Sequence, residues 1–218
     1  MKPVSRPLLY AGLVVLLLIL SGVSLIAGKV WVPWSAWMSP DIDPRWAIVF
    51  ELRLPRTILG VAVGAALGLS GAVLQGYTRN PLADPGVLGV SAMAALGAVL
   101  TLYYGVTAVA PWALPVAAIS GALIGVGVLM ALSGSASSLV TFILAGAILN
   151  ILSSAGVSLA LSLAPNPWAV NEIVDWLMGS LADRSFEEVR TALPFIVVGC
   201  GLLLTLGLSL IHISEPTR

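Results

Sequence analysis

Residues 53–91 read RLPRTILGVAVGAALGLSGAVLQGYTRNPLADPGVLGVS, and this stretch decides the fold. It opens with two arginines around a proline and continues as an uncharged run over residues 57–75. On a helix, small residues at every fourth position form one smooth stripe that lets a second helix approach closely inside a bilayer. The stretch therefore predicts a membrane helix whose packing face is Gly60, Gly64, Gly68 and Ala72.

A polar turn follows this run and leads into a second apolar segment. It contains Asn80, Pro81, Asp84 and Pro85. Asn and Asp side chains hydrogen-bond to nearby backbone in turns, and proline restricts φ. These four residues therefore predict a stiff structural turn, and we assign them no contact with a transported molecule.

The composition is that of a membrane protein. Hydrophobic residues make up 59% of the chain and charged residues 9%, whereas about 25% of the residues in a soluble domain are charged. A water-soluble protein of 218 residues could not bury so much apolar surface. We therefore predict an all-α, polytopic membrane helical bundle. The single cysteine, Cys200, cannot form an internal disulfide.

Six apolar segments are predicted to be membrane-spanning helices. Lys2 and Arg6 precede the first, which predicts a cytoplasmic N-terminus because cytoplasmic loops are rich in Lys and Arg. This first segment is longer than a signal-peptide core, so we expect it to be retained, with a cleaved signal as the alternative. The approximate limits of the six are residues 8–27, 57–75, 86–104, 116–132, 139–163, and 186 to beyond 207.

Two segments between the spans predict short interfacial helices on the extracytoplasmic side. Residues 29–51 hold four tryptophans, whose rings suit the boundary between membrane and water. Residues 165–180 offer Asn166 as a helix cap and Gly179 as a helix end. Ser185, with Glu188 three residues later, predicts a capping box at the start of the last span.

With alternating spans, Arg53 and Arg56 fall on the extracytoplasmic side, against the positive-inside tendency. Two explanations are open at this point. The arginines anchor to lipid headgroups, or they meet an acidic partner.

The last residues, 208–218, break the pattern of the chain. Their sequence, LSLIHISEPTR, resembles the translation of a common transposase sequencing adapter, residue by residue and in order. We therefore expect residues 1–207 to be a truncated transmembrane domain and residues 208–218 to be a non-native tail. His212, the single histidine, accordingly receives no catalytic or metal-binding role.

The sequence contains no motif for membrane-embedded catalysis. It has no HExxH or GxSxG motif and no glycine-rich phosphate loop with a lysine. Beyond the charged start of the last one, the predicted spans also lack the ionisable residues that mark a proton or ion pathway. We expect neither an enzyme nor an ion-coupled transporter, and if the protein moves a solute, the energy comes from another subunit.

Three stretches resemble the FecCD/BtuC-type permeases. They are RLPRTILGVAVGAALGLSGAVLQGYTRNPLADPGVLGVSAMAALGAVL at residues 53–100, FILAGAILN at 142–150, and VDWLMGSL at 174–181 followed by SFE at 185–187. The likeness runs from about residue 8 to residue 207. Permeases of this family are the membrane subunits of ABC importers for iron–siderophores, haem and cobalamin.

The resemblance implies a fold of ten membrane helices and a set of partners. The permease pairs with a second permease subunit, either identical or homologous, and with two cytoplasmic ATPase subunits. An extracytoplasmic binding protein delivers the cargo. The resemblance implies no cofactor, no bound metal of the protein's own and no nucleic acid.

The resemblance also assigns roles to residues. The family's arginines at the start of the second helix pair with glutamates of the binding protein, and the matching positions here are Arg53 and Arg56. The fifth helix lines the translocation path in the family. On this helix Asn150, Ser154 and Ser158 form a polar stripe at spacing four. Interhelical hydrogen bonding is the equally supported alternative for that stripe.

The chain departs from the family after the sixth span, because the coupling loop and helices seven to ten are absent from the sequence. We expect that the chain as given does not transport and that its function belongs to the intact gene product. The resemblance implies that this function is import of a metal chelate across the cell membrane, with iron–siderophore first and haem or cobalamin otherwise. The alternative is a non-transporting membrane scaffold or a half-permease subunit.

Overall fold

A computed structural model describes residues 5–38, 43–134 and 138–207. All regular structure in these ranges is helical. The α-helices, in chain order, are α1 (Arg6–Ile26), α2 (Trp34–Trp37), α3 (Leu54–Thr78), α4 (Val90–Tyr103), α5 (Ala113–Ser133), α6 (Leu139–Ser162), α7 (Pro167–Met178) and α8 (Phe186–Leu202). The tail at residues 208–218, with His212, lies outside the described residues.

Shorter helical turns extend or precede four of these helices. A π-helical turn, Ile48–Arg53, runs directly into α3, and another, Leu203–Gly207, continues α8. Two 3₁₀ turns, Pro85–Leu88 and Val106–Ala108, precede α4 and α5. The helix at the second predicted span therefore begins earlier than predicted and includes both arginines.

Five helical segments of the described chain are long and apolar enough to cross a membrane. They are Arg6–Ile26, Ile48–Thr78, Ala113–Ser133, Leu139–Ser162 and Phe186–Gly207. Large apolar side chains cover their surfaces, and along α1 nearly every leucine and valine is exposed. Such surfaces are stable against lipid or other apolar helices rather than water. The predicted all-α, polytopic membrane fold is confirmed.

The third predicted span is shorter than predicted. The sequence predicts a span at residues 86–104, but α4 has 14 residues, which at about 1.5 Å per residue do not reach across a hydrocarbon core of about 30 Å. The reason is Gly89, whose φ of 75° ends the preceding 3₁₀ turn and starts α4 in a new direction.

The chain forms two compact units, and the boundary between them falls within α3. Of the described residues, 5–38, 43–70 and 181–207 belong to the first. Its buried centre is Val32, Ala36 and Val49, and Trp37, Ile48 and Phe50 pack around it. The predicted tryptophan-rich element thus contains a single α-helical turn, α2, followed by the start of the π-helical turn. Its aromatic rings pack on Phe50 of the π-helical turn, which Trp37 meets edge-on and Trp46 stacks on.

The second unit, Gly71–Ser180, contains most of the helix packing. Helices α4, α5 and α6 pack on one another, and α7 packs on α4. One buried cluster joins α4, α6 and α7 through Val99, Leu102, Ala160 and Ile173. A second cluster joins α5 and α6 through Leu129, Ala145 and Leu149.

The predicted helix ends near residues 165–188 are confirmed. The Asn166 side chain accepts a hydrogen bond from the Ala169 N–H at 2.9 Å and starts α7. Gly179, with φ of 69°, ends it. At the start of α8, Ser185 and Glu188 form the reciprocal capping box. These ends follow the sequence because each cap joins residues only a few positions apart.

Candidate docking and translocation residues

Arg53 is the last residue of the π-helical turn that precedes α3, and its side chain is 5% exposed. The guanidinium donates from Nη1 to the carbonyls of Leu25 at 3.0 Å and Ile26 at 2.7 Å. From Nη2 it donates to the Val30 carbonyl at 2.6 Å. The guanidinium of Arg53 therefore donates to three backbone carbonyls of the described chain, and its docking role stays a prediction.

Arg56 lies one turn further along and is half-buried. Its Nη2 donates to the Ser24 carbonyl at 3.3 Å. Beside it, the hydroxyls of Ser24 and Thr57 are 2.8 Å apart, and Thr57 Oγ1 donates to the Arg53 carbonyl. Since a hydroxyl has one proton to donate, Ser24 is the donor to Thr57. Both arginines therefore contact the end of α1.

The turn after α3 has the geometry of two Asx turns. Asn80 Oδ1 accepts from the Leu82 N–H at 2.9 Å, and Asp84 Oδ1 accepts from the Gly86 N–H at 2.8 Å. Asp84 thereby caps the 3₁₀ turn that Pro85 begins, and Pro81 lies between the two Asx residues. Both side chains thus accept these hydrogen bonds from backbone N–H groups within the turn.

The polar stripe on α6 borders the face that packs within the second unit. Asn150 is half-buried, while Ser154 and Ser158 are exposed. Ser158 donates to the Ser154 carbonyl at 3.0 Å, a bond within the helix. Ser153, one position away, is buried and donates to the Leu149 carbonyl. The described hydrogen bond of this stripe thus lies within α6 and does not join its hydroxyl groups to another helix.

The predicted glycine stripe on α3 is mostly open in the described residues. A Cβ at Gly60 would contact Leu181 at 3.6 Å, whereas Cβ atoms at Gly64 and Gly68 would meet no described residue within 4 Å. Ala72 is exposed. The packing role of this stripe stays a prediction.

Outside the spans, one described ion pair joins Arg45 and Asp43. Arg45 donates to Asp43, with 2.7 Å between Nη2 and Oδ2. The hydrogen bond from the Arg45 side chain holds the pKa of Asp43 below its ordinary value. Such an exposed pair stabilises a protein little. No group of three or more potential metal ligands occurs in the part of the chain that the structure describes.

Comparison with known proteins identifies the family. A sequence model of the FecCD transport family matches residues 14–214. This chain belongs to the FecCD transport family. The matched range extends into the tail that resembles a sequencing adapter, as far as residue 214.

Relatives of this FecCD chain include permeases of two named import systems. It is 33% identical over 193 residues to the vitamin B12 import system permease protein BtuC of Klebsiella pneumoniae, covering 88% of this chain and 57% of that protein. It is 35% identical over 231 aligned positions to the molybdate import system permease protein MolB of Haemophilus influenzae, covering 99% and 67%. The FecCD chain thus spans about half to two thirds of the length of these relatives.

A solved structure has the same fold. It is described as an inward-facing conformation of a metal-chelate type ABC transporter, and its TM-score with this FecCD chain is 0.83 at 33% identity. The likeness covers 97% of this chain and 66% of the other.

The FecCD chain also contains close backbone contacts that the sequence reasoning missed. A Cβ on Gly97 of α4 would overlap the Ala117 carbonyl of α5, and one on Gly121 of α5 would overlap the Met93 carbonyl of α4. Gly89 and Gly146 make a similar contact between the start of α4 and the middle of α6. In the sequence, the four-residue spacing of Gly121 and Gly125 on α5 was a signal for the contact between α4 and α5.

An open groove lies along the contact between α4 and α5. Its volume is about 390 Å³, and its walls include Leu96, Leu100, Tyr104 and Ile124. The lining is mostly apolar, although Thr101 and Ser120 also line the groove.

Proposed function

We propose that the intact gene product is the permease subunit of an ABC importer in the cell membrane, with its N-terminus in the cytoplasm. The permease catalyses no reaction of its own, and a separate cytoplasmic ATPase supplies the energy. The observation that carries the proposal is the family match over residues 14–214. The fold shared with a metal-chelate type transporter, at a TM-score of 0.83, supports it.

The cargo we propose is a metal chelate. Iron–siderophore is the first candidate, and haem and cobalamin follow. Relatives named for vitamin B12 and for molybdate support the broad class of metal-containing cargo without favouring iron. Molybdate therefore joins the candidates to be measured.

We propose Arg53 and Arg56 as the point where an acidic extracytoplasmic binding protein docks. The support is their position in the family's Arg-Leu-Pro-Arg stretch and their cationic side chains where the π-helical turn runs into α3. Charges at the rim of an interface mainly steer association and set orientation. Docking at these arginines is therefore expected to weaken as salt rises.

We propose Asn150, Ser154 and Ser158 of α6 as part of the translocation path. The exposure of Ser154 and Ser158 supports this role. Hydrogen bonding to another helix is the competing role, worth about 0.6 kcal/mol per bond in a membrane.

The test starts from the native gene, read through the codon for Gly207, so that residues 208–218 are replaced by whatever the gene encodes there. The product is reconstituted in liposomes with the ATPase and binding protein encoded beside it. We expect ATP-dependent uptake of one radiolabelled candidate among iron–siderophore, haem, cobalamin and molybdate. A matched preparation with a hydrolysis-deficient ATPase serves as the control.

A complex that assembles with these partners but takes up none of the four cargoes would contradict the proposed cargo class. If the gene ends at Arg218 and its product binds no ATPase, the protein is the membrane scaffold or half-permease rather than the permease.

A further inference from the structure

Helices α4 and α6 are neighbours in the second unit, and their contacts recur at regular intervals. At the start of α4, a Cβ on Gly89 would lie 3.0 Å from the carbonyl carbon of Leu149 in α6. Further along, Cδ1 of Leu96 lies 3.0 Å from the position of a Cβ on Gly156. Because residue numbers rise together along both helices, α4 and α6 are parallel.

A hydrogen bond makes a third contact where the two helices end. The hydroxyl of Tyr103, the last residue of α4, donates to the carbonyl of Leu163 at 3.0 Å. The residues of this pair are 60 positions apart in the chain, as are the residues of the other two pairs. Successive pairs are seven residues apart, which is about two turns of a helix. The two helices therefore keep one register along the whole of α4.

The sequence explains why the Leu163 carbonyl takes a donor from another helix. In a continuing helix this carbonyl would accept from the N–H of residue 167, but Pro167 has none. Pro165 lacks an N–H as well. The Tyr103 hydroxyl supplies a donor where these two positions cannot.

The ring of Tyr103 is held on two sides. It packs against the buried cluster that joins α4, α6 and α7, and Tyr104 meets it edge-on with 5.1 Å between the ring centroids. Apolar packing alone tolerates a slip of one helix along the other, because apolar side chains of similar size can replace one another. A hydrogen bond is directional, so the bond from Tyr103 to Leu163 selects one register.

The register matters because α6 carries the polar stripe on its other side. Ser154 and Ser158 each lie two positions from Gly156, which faces α4. Two residues turn an α-helix by more than half a revolution, so both serines lie on the face away from α4, and both are exposed. A slip of one turn between the helices would move the stripe by about 5.4 Å.

We propose that α4 and α6 act as one rigid body behind the proposed translocation path, and that Tyr103 is the positioning residue that sets their register. Tyr103 acts through the backbone of α6 and does not contact the cargo. The register rests on the geometry alone, whereas its effect on transport rests on the proposed function.

The experiment cross-links the two helices in the intact permease, reconstituted with its ATPase and binding protein. Leu96→Cys with Gly156→Cys, in a Cys200→Ala background, places two thiols at the middle contact. Leu96→Cys with Leu152→Cys is the off-register control, because Leu152 lies one turn earlier on α6 and is 68% exposed. Each variant is measured both oxidised and reduced, so that the same protein is its own reference.

We expect the first pair to cross-link with equal yield in the nucleotide-free and the ATP-bound complex, and the control pair to cross-link little. Uptake of the radiolabelled cargo is expected to be unchanged by oxidation, because two helices that move as one body lose no motion when they are joined.

The role of the hydroxyl is tested with Tyr103→Phe, which keeps the ring. Tyr104→Phe is the matched control, since the Tyr104 side chain is 73% exposed and its hydroxyl takes part in none of the described hydrogen bonds. We expect amide hydrogen exchange over residues 163–178 to become about 2- to 10-fold faster in Tyr103→Phe, the effect of losing one hydrogen bond. Exchange in Tyr104→Phe stays unchanged.

A rescue separates positioning from stabilisation. Uptake per folded molecule is expected to fall in Tyr103→Phe by about the same factor as the exchange rises. In the presence of the Leu96→Cys and Gly156→Cys pair, oxidation restores this uptake and reduction abolishes the rescue. A bond that only stabilises the fold would leave uptake per folded molecule unchanged throughout.

Three outcomes would overturn the proposal. The first is loss of uptake on oxidation of the first pair with recovery on reduction, since α4 and α6 would then move relative to each other. The second is a cross-link yield that changes with nucleotide or that the control pair equals. The third is equal hydrogen exchange, or equal uptake, in Tyr103→Phe and Tyr104→Phe. If the wild type takes up no cargo, the proposed function fails, whereas the cross-link yields and the hydrogen exchange still decide the register.

Discussion

At the scale of single residues, Gly89 combines two requirements that no other amino acid meets together. Its φ of 75° lies in the left-handed region, where a Cβ costs about 1–2 kcal/mol. In addition, a Cβ there would lie 2.6 Å from the Asn150 nitrogen and 2.9 Å from the Gly146 oxygen. The residue thus sets both the direction in which α4 begins and its distance from α6.

Gly89→Ala is therefore expected to destabilise the protein by more than the cost of a left-handed backbone conformation alone. Gly105→Ala is the matched control, because Gly105 has φ of 65° but open space around its Cβ position. We expect Gly105→Ala to cost about 1–2 kcal/mol and Gly89→Ala to lower Tm by several degrees more. Thermal unfolding in one detergent measures both. Equal shifts would contradict the close contact with α6.

At the scale of elements, α4 and α5 contact each other backbone to backbone. The Gly97 and Gly121 positions each face a carbonyl of the opposite helix. Because no water competes inside a bilayer, helix association depends on van der Waals contact and on small residues that allow it. This contact packs the part of α4 that follows Gly89 against α5.

Gly121→Ala is expected to push α4 and α5 apart and to cost about 1–3 kcal/mol, the usual range for overpacking. Gly127→Ala lies on the same helix, and its Cβ would meet nothing within 4 Å, so this variant is expected to be neutral. The test is the fraction of each variant that remains folded after heating, measured under the same conditions. A loss of stability in both would instead indicate an effect on α5 itself.

At the scale of the whole molecule, the proposed translocation path predicts where water reaches α6. In a Cys200→Ala background of the intact permease, Ser154→Cys and Ser158→Cys are expected to react with a membrane-impermeant thiol reagent in at least one nucleotide state. Leu152→Cys is the control, since Leu152 is 68% exposed but lies on an apolar face. A lipid-facing thiol stays unreactive because the thiolate does not form in hydrocarbon.

Labelling of Ser154→Cys and Ser158→Cys in none of the nucleotide states would end the path assignment. The interhelical hydrogen-bonding role would then remain for these residues. Labelling of Leu152→Cys to the same extent would show that the reagent reaches α6 from any side.

The sequence by itself determined the class of the protein and the ends of its local elements. Apolar runs of membrane length predict spanning helices whatever packs on them, because hydrocarbon leaves backbone groups no other partners. The Asn166 cap and the Ser185–Glu188 box were predictable because both partners lie within one turn. The family, too, was recognisable from the residues around Arg53.

Tertiary structure decided which of several residues that look equivalent in the sequence make close contacts. Glycines on α3 and α5 have similar spacing, yet within the described chain Gly121 meets a backbone carbonyl while Gly64 meets nothing. Arg53 and Arg56 are equivalent in the sequence, but only Arg53 is enclosed, by a carbonyl 28 residues earlier in the chain and its neighbours. The physical reason is that a helix pattern specifies a face, whereas the partner of that face comes from a distant part of the chain.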